Sequence, residues 1–313
     1  MRIAPNIVSR RSLMLGSLAA GLVGRAAAAP PPGPLLPEPD EWLDLWPGAA
    51  PGLPSPPPAE EVRERSTDPT YNDRAIFHVR RPRLAIFRPA RAIGGAVLLT
   101  PGGSYARVVM DKEGFETARW LARRGVTAFV LFYRLAVDHW ASGADTSIAD
   151  ARRAMRLIRA RMPGAKVALL GFSAGGHVAA DLVARFEADA RPDAAGLLYP
   201  VIAMSGPAAH AESRLNLLGP NPTAEDERIH DPSRNVRADS PPCFLVHAED
   251  DPVIPVANTL LMREALRARG VQTETHLFPT GGHGFGIRLA SGHSVEIWPD
   301  LFFAWGRRQG LWA

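Results

Sequence analysis

The sequence predicts an α/β fold: one domain with a mostly parallel central sheet and helices on both faces. The main observation is that apolar strands alternate with amphipathic helices from residue 96 onward. Strands that are apolar along their whole length are typical of a parallel sheet covered on both sides. The 313 residues are also 46% apolar, which suits one large domain and excludes a disordered chain.

The elements follow in a regular order. An antiparallel pair is expected at residues 75–79 and 84–88, around a charged turn that contains a proline. Further strands are predicted at 96–100, 126–133, 166–172, 195–202, 244–247 and 273–278. Helices are predicted at 113–124, 146–162, 175–186, 256–269 and 295–308. A polar, proline-containing insertion at about 205–242 is expected to be irregular, and a long loop of that kind is usually functional.

The first 28 residues are predicted to be an export signal. Arg10 and Arg11 precede an apolar stretch at residues 13–24, and the small-residue site Ala26-Ala27-Ala28 follows. The stretch is too short to span a membrane, and the arginine pair resembles a twin-arginine signal. A short buried helix is the alternative. The protein is therefore expected in the periplasm or outside the cell.

Residues 29–68 are expected to form a proline-rich arm, with 12 prolines between positions 30 and 58, ahead of a domain at 69–313. The formal net charge of +4 matches the four arginines of the first 28 residues, which hold no acid. The remainder is formally neutral, so neither a nucleic-acid partner nor stable membrane insertion after signal cleavage is expected.

The sequence contains no motif that indicates a metal site or a cofactor site. Cys243 is the single cysteine and opens an apolar run, so a buried and inert thiol is predicted, without an intramolecular disulfide or a multi-cysteine metal site. The histidines show no metal-ligand spacing, and H-E-x-x-H is absent from the sequence. No cofactor and no metal are predicted.

A serine framed by glycines marks the end of one strand. Gly171-x-Ser173-x-Gly175 follows the strand at 166–172 and opens the next helix, which is the context of a nucleophile elbow. The glycines would let strand and helix approach closely while Ser173 occupies a strained turn. Ser173 is the predicted nucleophile, and an ordinary glycine-rich turn is the alternative.

A base and an orienting carboxylate follow Ser173 in the chain order expected of such a site. His283 lies in a glycine-rich loop after the strand at 273–278 and is the predicted base, with His293 as its rival. Because the ends of parallel strands share one edge of a sheet, these loops should meet. Three acids directly after the strand at 244–247 could orient the imidazole: Glu249, Asp250 and Asp251. Asp251 could instead cap a helix.

An earlier strand, 96–100, ends in Pro101-Gly102-Gly103-Ser104-Tyr105. The backbone N–H of Ala174, together with that of Gly102 or Gly103, is predicted to bind a developing oxyanion. Substrate contacts are predicted at Ser104, Tyr105 and His177. A packing role is the alternative for His177, which lies in the first turn after Ser173.

Together these motifs resemble the α/β-hydrolase superfamily, and within it the bacterial acetyl esterases and acetylxylan esterases. The resemblance runs from Leu45 to the C-terminus and rests on residues 45–52, 101–105, 171–177, 250–255 and 281–286. In such enzymes the carboxylate opens a D-P-V-x-P-like motif, which selects Asp251. Ser104 replaces the third glycine common in their oxyanion loop.

The resemblance implies a serine esterase that hydrolyses short acyl esters, chiefly acetyl esters, through an acyl-enzyme intermediate. Its implied substrate is an acetylated carbohydrate or another small ester. A feruloyl esterase or another small-ester carboxylesterase is the alternative. Two further classes are less favoured. A peptidase of this kind is expected to carry a large additional domain. A non-catalytic carbohydrate-binding protein on the same fold should lack one of the three residues Ser173, Asp251 and His283, all of which are present. The sequence assigns no oligomeric state.

Overall fold

The computed structural model describes residues 38–313. Its strands, numbered in chain order, are β1 (Glu41–Asp44), β2 (Glu61–Arg63), β3 (Ala75–Phe77), β4 (Arg83–Phe87), β5 (Ala96–Thr100), β6 (Val108–Val109), β7 (Thr127–Phe132), β8 (Val167–Phe172), β9 (Ala194–Leu198), β10 (Cys243–Ala248) and β11 (Thr273–Phe278). Its α-helices are α1 (Glu116–Arg123), α2 (Thr146–Arg161), α3 (Ser173–Ala184), α4 (Ala211–Leu218), α5 (Ala224–Ile229), α6 (Ala257–Ala268) and α7 (Trp298–Arg308).

The central sheet has eight strands in the order β1-β4-β7-β5-β8-β9-β10-β11. The six strands from β7 to β11 run parallel, whereas β4 is antiparallel to both β1 and β7. Every residue of β5, β8, β9 and β10 is buried, because helices cover both faces of the sheet. The predicted mostly parallel sheet is confirmed.

The prediction that residues 75–79 and 84–88 pair with each other is wrong. β3 instead lies between β2 and β6 in a separate antiparallel sheet, and β4 lies between β1 and β7 in the central one. The reason is that residues of the proline-rich arm supply a partner to each strand, β1 to β4 and β2 to β3. Local alternation does not reveal partners that lie 12 or more residues away in the chain.

The arm is fixed to the domain through a buried ion pair. Arg134 and Asp150 approach within 2.8 Å, with side chains 1% and 0% exposed. Trp46 donates its indole N–H to Asp150 at 3.2 Å, and the Pro51 carbonyl accepts from Arg134 at 2.5 Å. Leu45 is completely buried. The residues predicted to form a proline-rich arm ahead of the domain thus pack against it in the structure.

The insertion at 205–242 is not irregular, contrary to expectation. It contains α4, α5 and a short 3₁₀ turn at Pro232–Arg234. The His210 side chain caps α4 by accepting from the Ser213 N–H, and Thr223 and Asp226 form a capping box on α5. These caps stabilise helices too short to show a periodic apolar face.

The hydrophobic core continues from the sheet into the last helix. The rings of Phe302 and Trp305 on α7 lie 5.7 and 5.5 Å from that of Phe244 on β10.

Cys243 is buried and unpaired as predicted, and burial raises the pKa of its thiol. The described residues, 38–313, fall within one compact unit. Within 38–313 none of the helices combines the length and apolarity that crossing a membrane requires. The predicted export signal at residues 1–28 lies outside the described residues.

Candidate active site

The serine elbow is built where β8 meets α3. Phe172 ends the strand and Ser173 begins the helix with φ of 52°, a left-handed conformation that costs a non-glycine residue roughly 1–3 kcal/mol. A Cβ at Gly175 would lie 2.0 Å from the Thr100 carbonyl oxygen, so only glycine lets α3 approach β5 this closely. The strained turn predicted for Ser173 is present.

Three side chains converge at the carboxyl edge of the parallel strands. The Ser173 Oγ lies 2.9 Å from Nε2 of His283, and Nδ1 of His283 lies 2.7 Å from Oδ2 of Asp251. An ionised carboxylate only accepts, so the neutral imidazole carries its proton on Nδ1 and accepts from the serine hydroxyl through Nε2. The structure therefore joins Ser173, His283 and Asp251 in one chain of hydrogen bonds.

Asp251 is held as an acceptor by four donors. Its Oδ1 accepts from the N–H groups of Val253 and Ile254 at 2.8 and 2.9 Å, and its Oδ2 also accepts from Nε2 of His247 at 3.2 Å. Burial alone would raise the pKa of Asp251, but hydrogen bonds from His247 and His283 outweigh it and hold that pKa well below its ordinary value. The carboxylate stays charged beside the imidazole.

The rival residues have other positions. Asp250 accepts from the N–H of Gly282 at 2.8 Å and so ties down the loop that carries His283. Glu249 is exposed, and His293 is an exposed residue that precedes a 3₁₀ turn. Asp251 alone among the three candidate acids is bonded to the imidazole.

The glycines after β5 lie against the serine. A Cβ at Gly102 would come within 2.8 Å of the Cβ of Ser173. The Gly102 N–H already donates to Oε2 of Glu113 at 2.7 Å, so it is not available to an oxyanion. Within residues 38–313, the N–H groups of Gly103 and Ala174 have no acceptor. Of the three N–H groups predicted to bind an oxyanion, these two are therefore the ones that remain open.

Tyr105 and His177 are partners of each other. Each is 1% exposed, and the Tyr105 hydroxyl donates to Nδ1 of His177 at 2.6 Å. Nε2 of His177 donates to the carbonyl of His230 at 2.7 Å. Burial raises the pKa of Tyr105 and lowers that of His177, so both are neutral. Their burial favours the packing alternative over direct contact with substrate.

Ser104 remains partly exposed at the edge of the site. Its φ of 55°, like the 59° of Tyr105, is left-handed. The Ser104 carbonyl accepts from Nδ2 of Asn216 on α4 at 2.8 Å. The insertion therefore holds the strained loop from one side, and the Tyr105–His177 pair holds it from the other.

Comparison with known proteins identifies the scaffold. The profile of the family described as the alpha/beta hydrolase fold matches residues 102–287, which include all three converging side chains. The chain belongs to the alpha/beta hydrolase family.

Relatives of this alpha/beta hydrolase include two curated proteins. An endo-1,4-beta-xylanase B of Butyrivibrio fibrisolvens is 35% identical over 61% of the chain and 32% of its own length. An acetylxylan esterase of Xylanibacter ruminicola is 29% identical over 70% of the chain and 47% of its own length. The match thus spans about a third to a half of these relatives. A crystal structure of an acetyl ester-xyloside bifunctional hydrolase from Caldicellulosiruptor lactoaceticus is also similar, with a TM-score of 0.70 and 28% identity over 87% of this chain and 97% of that one.

Behind the loops of the hydrolase lies a buried carboxylate that the sequence did not predict. Glu113 belongs to a π-helical turn, Asp111–Phe115, and its second oxygen accepts from the Tyr199 hydroxyl at 3.1 Å. The Tyr199 oxygen in turn accepts from the N–H of Gly286 at 3.1 Å, and its ring meets the His283 ring edge-on at 5.0 Å. Glu113 therefore connects the loop of Gly102 with the loop of His283.

A second histidine lies beneath the carboxylate of the hydrolase. His247 is completely buried, and its Nδ1 accepts from the Thr259 hydroxyl at 2.7 Å. Its Nε2 donates to the Ile254 carbonyl at 3.0 Å as well as to Asp251. His247 lies inside an apolar strand pattern, and that pattern indicates only an ordinary buried histidine.

The arrangement has the parts of acyl-transfer chemistry: a hydroxyl on a base, a charged residue behind the base, and two open N–H donors. Among residues 38–313 there is also no group of three or more His, Cys, Asp or Glu side chains arranged to hold a metal ion.

Proposed function

We propose that this alpha/beta hydrolase is a serine esterase that hydrolyses short acyl esters, with acetyl groups on carbohydrate as its substrates. The observation that carries the proposal is the continuous chain of hydrogen bonds from Ser173 through His283 to Asp251. A serine hydroxyl alone is a poor nucleophile, and a hydrogen-bonded imidazole with a charged carboxylate behind it is the arrangement that activates it.

In the first half of the reaction, the Ser173 oxygen attacks the ester carbonyl while His283 takes the hydroxyl proton. Asp251 stabilises the imidazolium that forms. The N–H groups of Gly103 and Ala174 bind the oxyanion, and each is worth about 3 kcal/mol in the transition state. The imidazolium then returns the proton to the departing sugar oxygen as the ester C–O bond breaks.

In the second half, a water molecule attacks the acyl-enzyme and gives its proton to His283. The acyl–Ser173 bond breaks, the carboxylic acid leaves, and the proton returns to the serine oxygen. No further reactant is needed, because the sum of the two halves is ester plus water giving acid plus alcohol.

Acetyl carbohydrate is favoured as substrate on two grounds. The relatives named above include an acetylxylan esterase and an acetyl ester-xyloside hydrolase. The insertion beside the site carries polar residues such as Asn216 and Asp226 instead of the apolar lid expected of a lipase. Both favour a small acyl group on a polar alcohol.

Ser173→Ala tests the nucleophile. Hydrolysis of p-nitrophenyl acetate should fall by at least about 10⁴-fold, since the base then has no hydroxyl to activate, and labelling by a fluorophosphonate probe should disappear. Ser291→Ala, at an exposed serine, is the matched control and should keep both. Turnover by the Ser173 variant at the wild-type rate would refute the assignment.

A substrate panel separates acetyl esterase from feruloyl esterase and from other small-ester carboxylesterases. It compares acetylated xylan, acetylated xylo-oligosaccharides, feruloyl esters and p-nitrophenyl esters of rising chain length. The proposal expects the highest kcat/KM on the acetylated oligosaccharides. A preference for feruloyl esters, or for long acyl chains, would replace acetyl carbohydrate as the substrate.

We further propose that the protein is exported to the periplasm or beyond through residues 1–28. The support is the sequence pattern of Arg10-Arg11, the short apolar stretch and the small-residue site. N-terminal sequencing of the protein recovered outside the cytoplasm should begin near residue 29. Recovery of an exported chain that still begins at residue 1 would contradict cleavage.

A further inference from the structure

A cleft of about 740 Å³ opens beside the site, between α4 and the segment that links β7 to α2. Neither Ser173 nor His283 lines the cleft. Two of its lining residues, however, are hydrogen-bonded either to the loop of residues 101–105, called the oxyanion loop below, or to the His177 side chain that supports it. Asn216 donates to the Ser104 carbonyl, and the His230 carbonyl accepts from His177, the partner of Tyr105. The cleft therefore adjoins the loop that faces the ester.

The charge of the cleft selects against an anionic ligand. Although 36 of the 313 residues are Lys or Arg, neither type occurs among the described residues that line it, and its one carboxylate is Asp226. Asp226 is already engaged by the Thr223 cap of α5. An acidic polymer or a phosphate would find no counter-charge here.

The remaining lining suits a ligand with both apolar and hydroxyl surface. Leu215 is 50% exposed and offers an apolar contact at the cleft. His139, held with φ of 58°, and Asn216 add polar groups. Trp140 also lines the cleft, and its buried indole N–H has no acceptor among residues 38–313. A buried donor of this kind calls for an acceptor that the described chain does not supply.

We propose that this cleft binds a neutral polyhydroxylated chain, namely the sugar units that neighbour the ester-bearing unit at Ser173. The inference rests on the proposed function, since it assigns a site to a further part of the same substrate. Pockets of 300–1,000 Å³ bind whole small ligands, so the volume holds far more than an acetyl group. The enzyme is then selective for oligomers over simple acetyl esters.

The kinetic test compares two exposed leucines, each on a helix. Leu215→Ser removes the apolar contact in the cleft, and Leu261→Ser, 43% exposed on α6, is its matched control. Leu215→Ser should lower the ratio of kcat/KM on acetylated xylo-oligosaccharides to kcat/KM on p-nitrophenyl acetate by about 5-fold. Leu261→Ser should change neither value. An unchanged ratio in Leu215→Ser would overturn the proposal.

A binding test separates the cleft from the chemistry. The Ser173→Ala protein is titrated calorimetrically with unacetylated xylohexaose and with the anionic hexamer of galacturonic acid. Xylohexaose should bind with a Kd that Leu215→Ser raises about 5-fold, and the anionic hexamer should bind more weakly. No binding of xylohexaose, an unaffected Kd, or tighter binding of the anion would overturn the proposal.

The failure of the cleft assignment can be told from the failure of the esterase assignment. If xylohexaose fails to bind while the wild-type protein hydrolyses p-nitrophenyl acetate, only the cleft assignment falls. If xylohexaose binds but no ester is hydrolysed, only the esterase assignment falls.

Discussion

Glu113 uses its two carboxylate oxygens to hold two loops at once. One oxygen accepts from the Gly102 N–H, and the other from the Tyr199 hydroxyl that itself accepts from Gly286. At 3% exposure the carboxylate is shielded from water, so water cannot replace a lost acceptor cheaply. We therefore regard Glu113 as a positioning residue that sets the distance between the loop of Gly102 and Gly103 and the loop of His283.

Glu113→Gln should lower kcat for p-nitrophenyl acetate about 10-fold, with KM changed less than about 2-fold. The physical reason is that the amide has one accepting oxygen where two donors, Gly102 N–H and Tyr199 O–H, need one each. Tyr199→Phe should act in the same direction, and the double variant should lose less than the product of the single effects. Glu264→Gln, at an exposed glutamate on α6, is the control. A rise in KM at constant kcat would show that Glu113 acts on binding instead.

The predicted site residues that the structure brings together are those that a local sequence pattern marks. Ser173 lies in its own glycine motif, and His283 and Asp251 each follow a strand in loops with a recognisable pattern. Glu113 and Tyr199 carry no such mark, because their importance comes from contacts 11, 86 and 87 residues away in the chain. A glutamate at a predicted helix start looks like an ordinary favourable charge near the N-terminus.

At the scale of elements, hydrophobic periodicity was sufficient for β5, β8, β11 and α2, whose predicted bounds agree with the structure to within one residue. It was insufficient for β3 and β4, since pairing depends on which other strands are available. The helices of the insertion were missed for a different reason. α4 and α5 are eight and six residues long, and helices of that length depend on caps and tertiary contacts.

Glu116 at the start of α1 makes the stability of this element depend on pH. Burial is the main cause that raises its pKa from 4.5 to about 7. The Arg288 guanidinium opposes this shift, since its Nη1 lies 2.9 Å from Oε1 of Glu116. It does not form a well-aligned hydrogen bond to that oxygen. Since the folded state binds the proton more tightly, this contribution to stability is full below the unfolded pKa near 4.5 and is lost as pH rises through 7.

Glu116→Gln should remove that dependence, because an amide does not titrate. The free energy of unfolding of the wild type minus that of Glu116→Gln should fall by about 2 kcal/mol between pH 5 and pH 8. Urea unfolding at both pH values measures it, and Glu264→Gln should give a difference that does not vary with pH. Parallel pH profiles for the wild type and Glu116→Gln would show that Glu116 is ionised throughout this range.

At the scale of the whole molecule, a buried ion pair within the domain, Arg134 with Asp150, helps to fix the arm. Arg134 and Asp150 make three hydrogen bonds between their side chains at 2.8–3.1 Å, and they also bind Pro51 and Trp46 of the arm. Arg134 also lies over the ring of Trp140, a residue that lines the cleft, at 4.8 Å. The same pair therefore supports the arm and one wall of the cleft, so we expect losses of stability and of oligosaccharide binding to occur together.

Arg134→Met should lower the free energy of unfolding by about 3–5 kcal/mol, because it leaves the buried Asp150 carboxylate without its cation. The control is Arg156→Met. Arg156 forms its ion pairs with Glu187 and Asp189 at the surface, so its removal should cost no more than about 1 kcal/mol. Limited proteolysis should also cut the Arg134 variant sooner within residues 45–63, since β1 and β2 then lose their anchor. Equal losses of stability in the two variants would mean that the buried ion pair does not contribute to holding the arm.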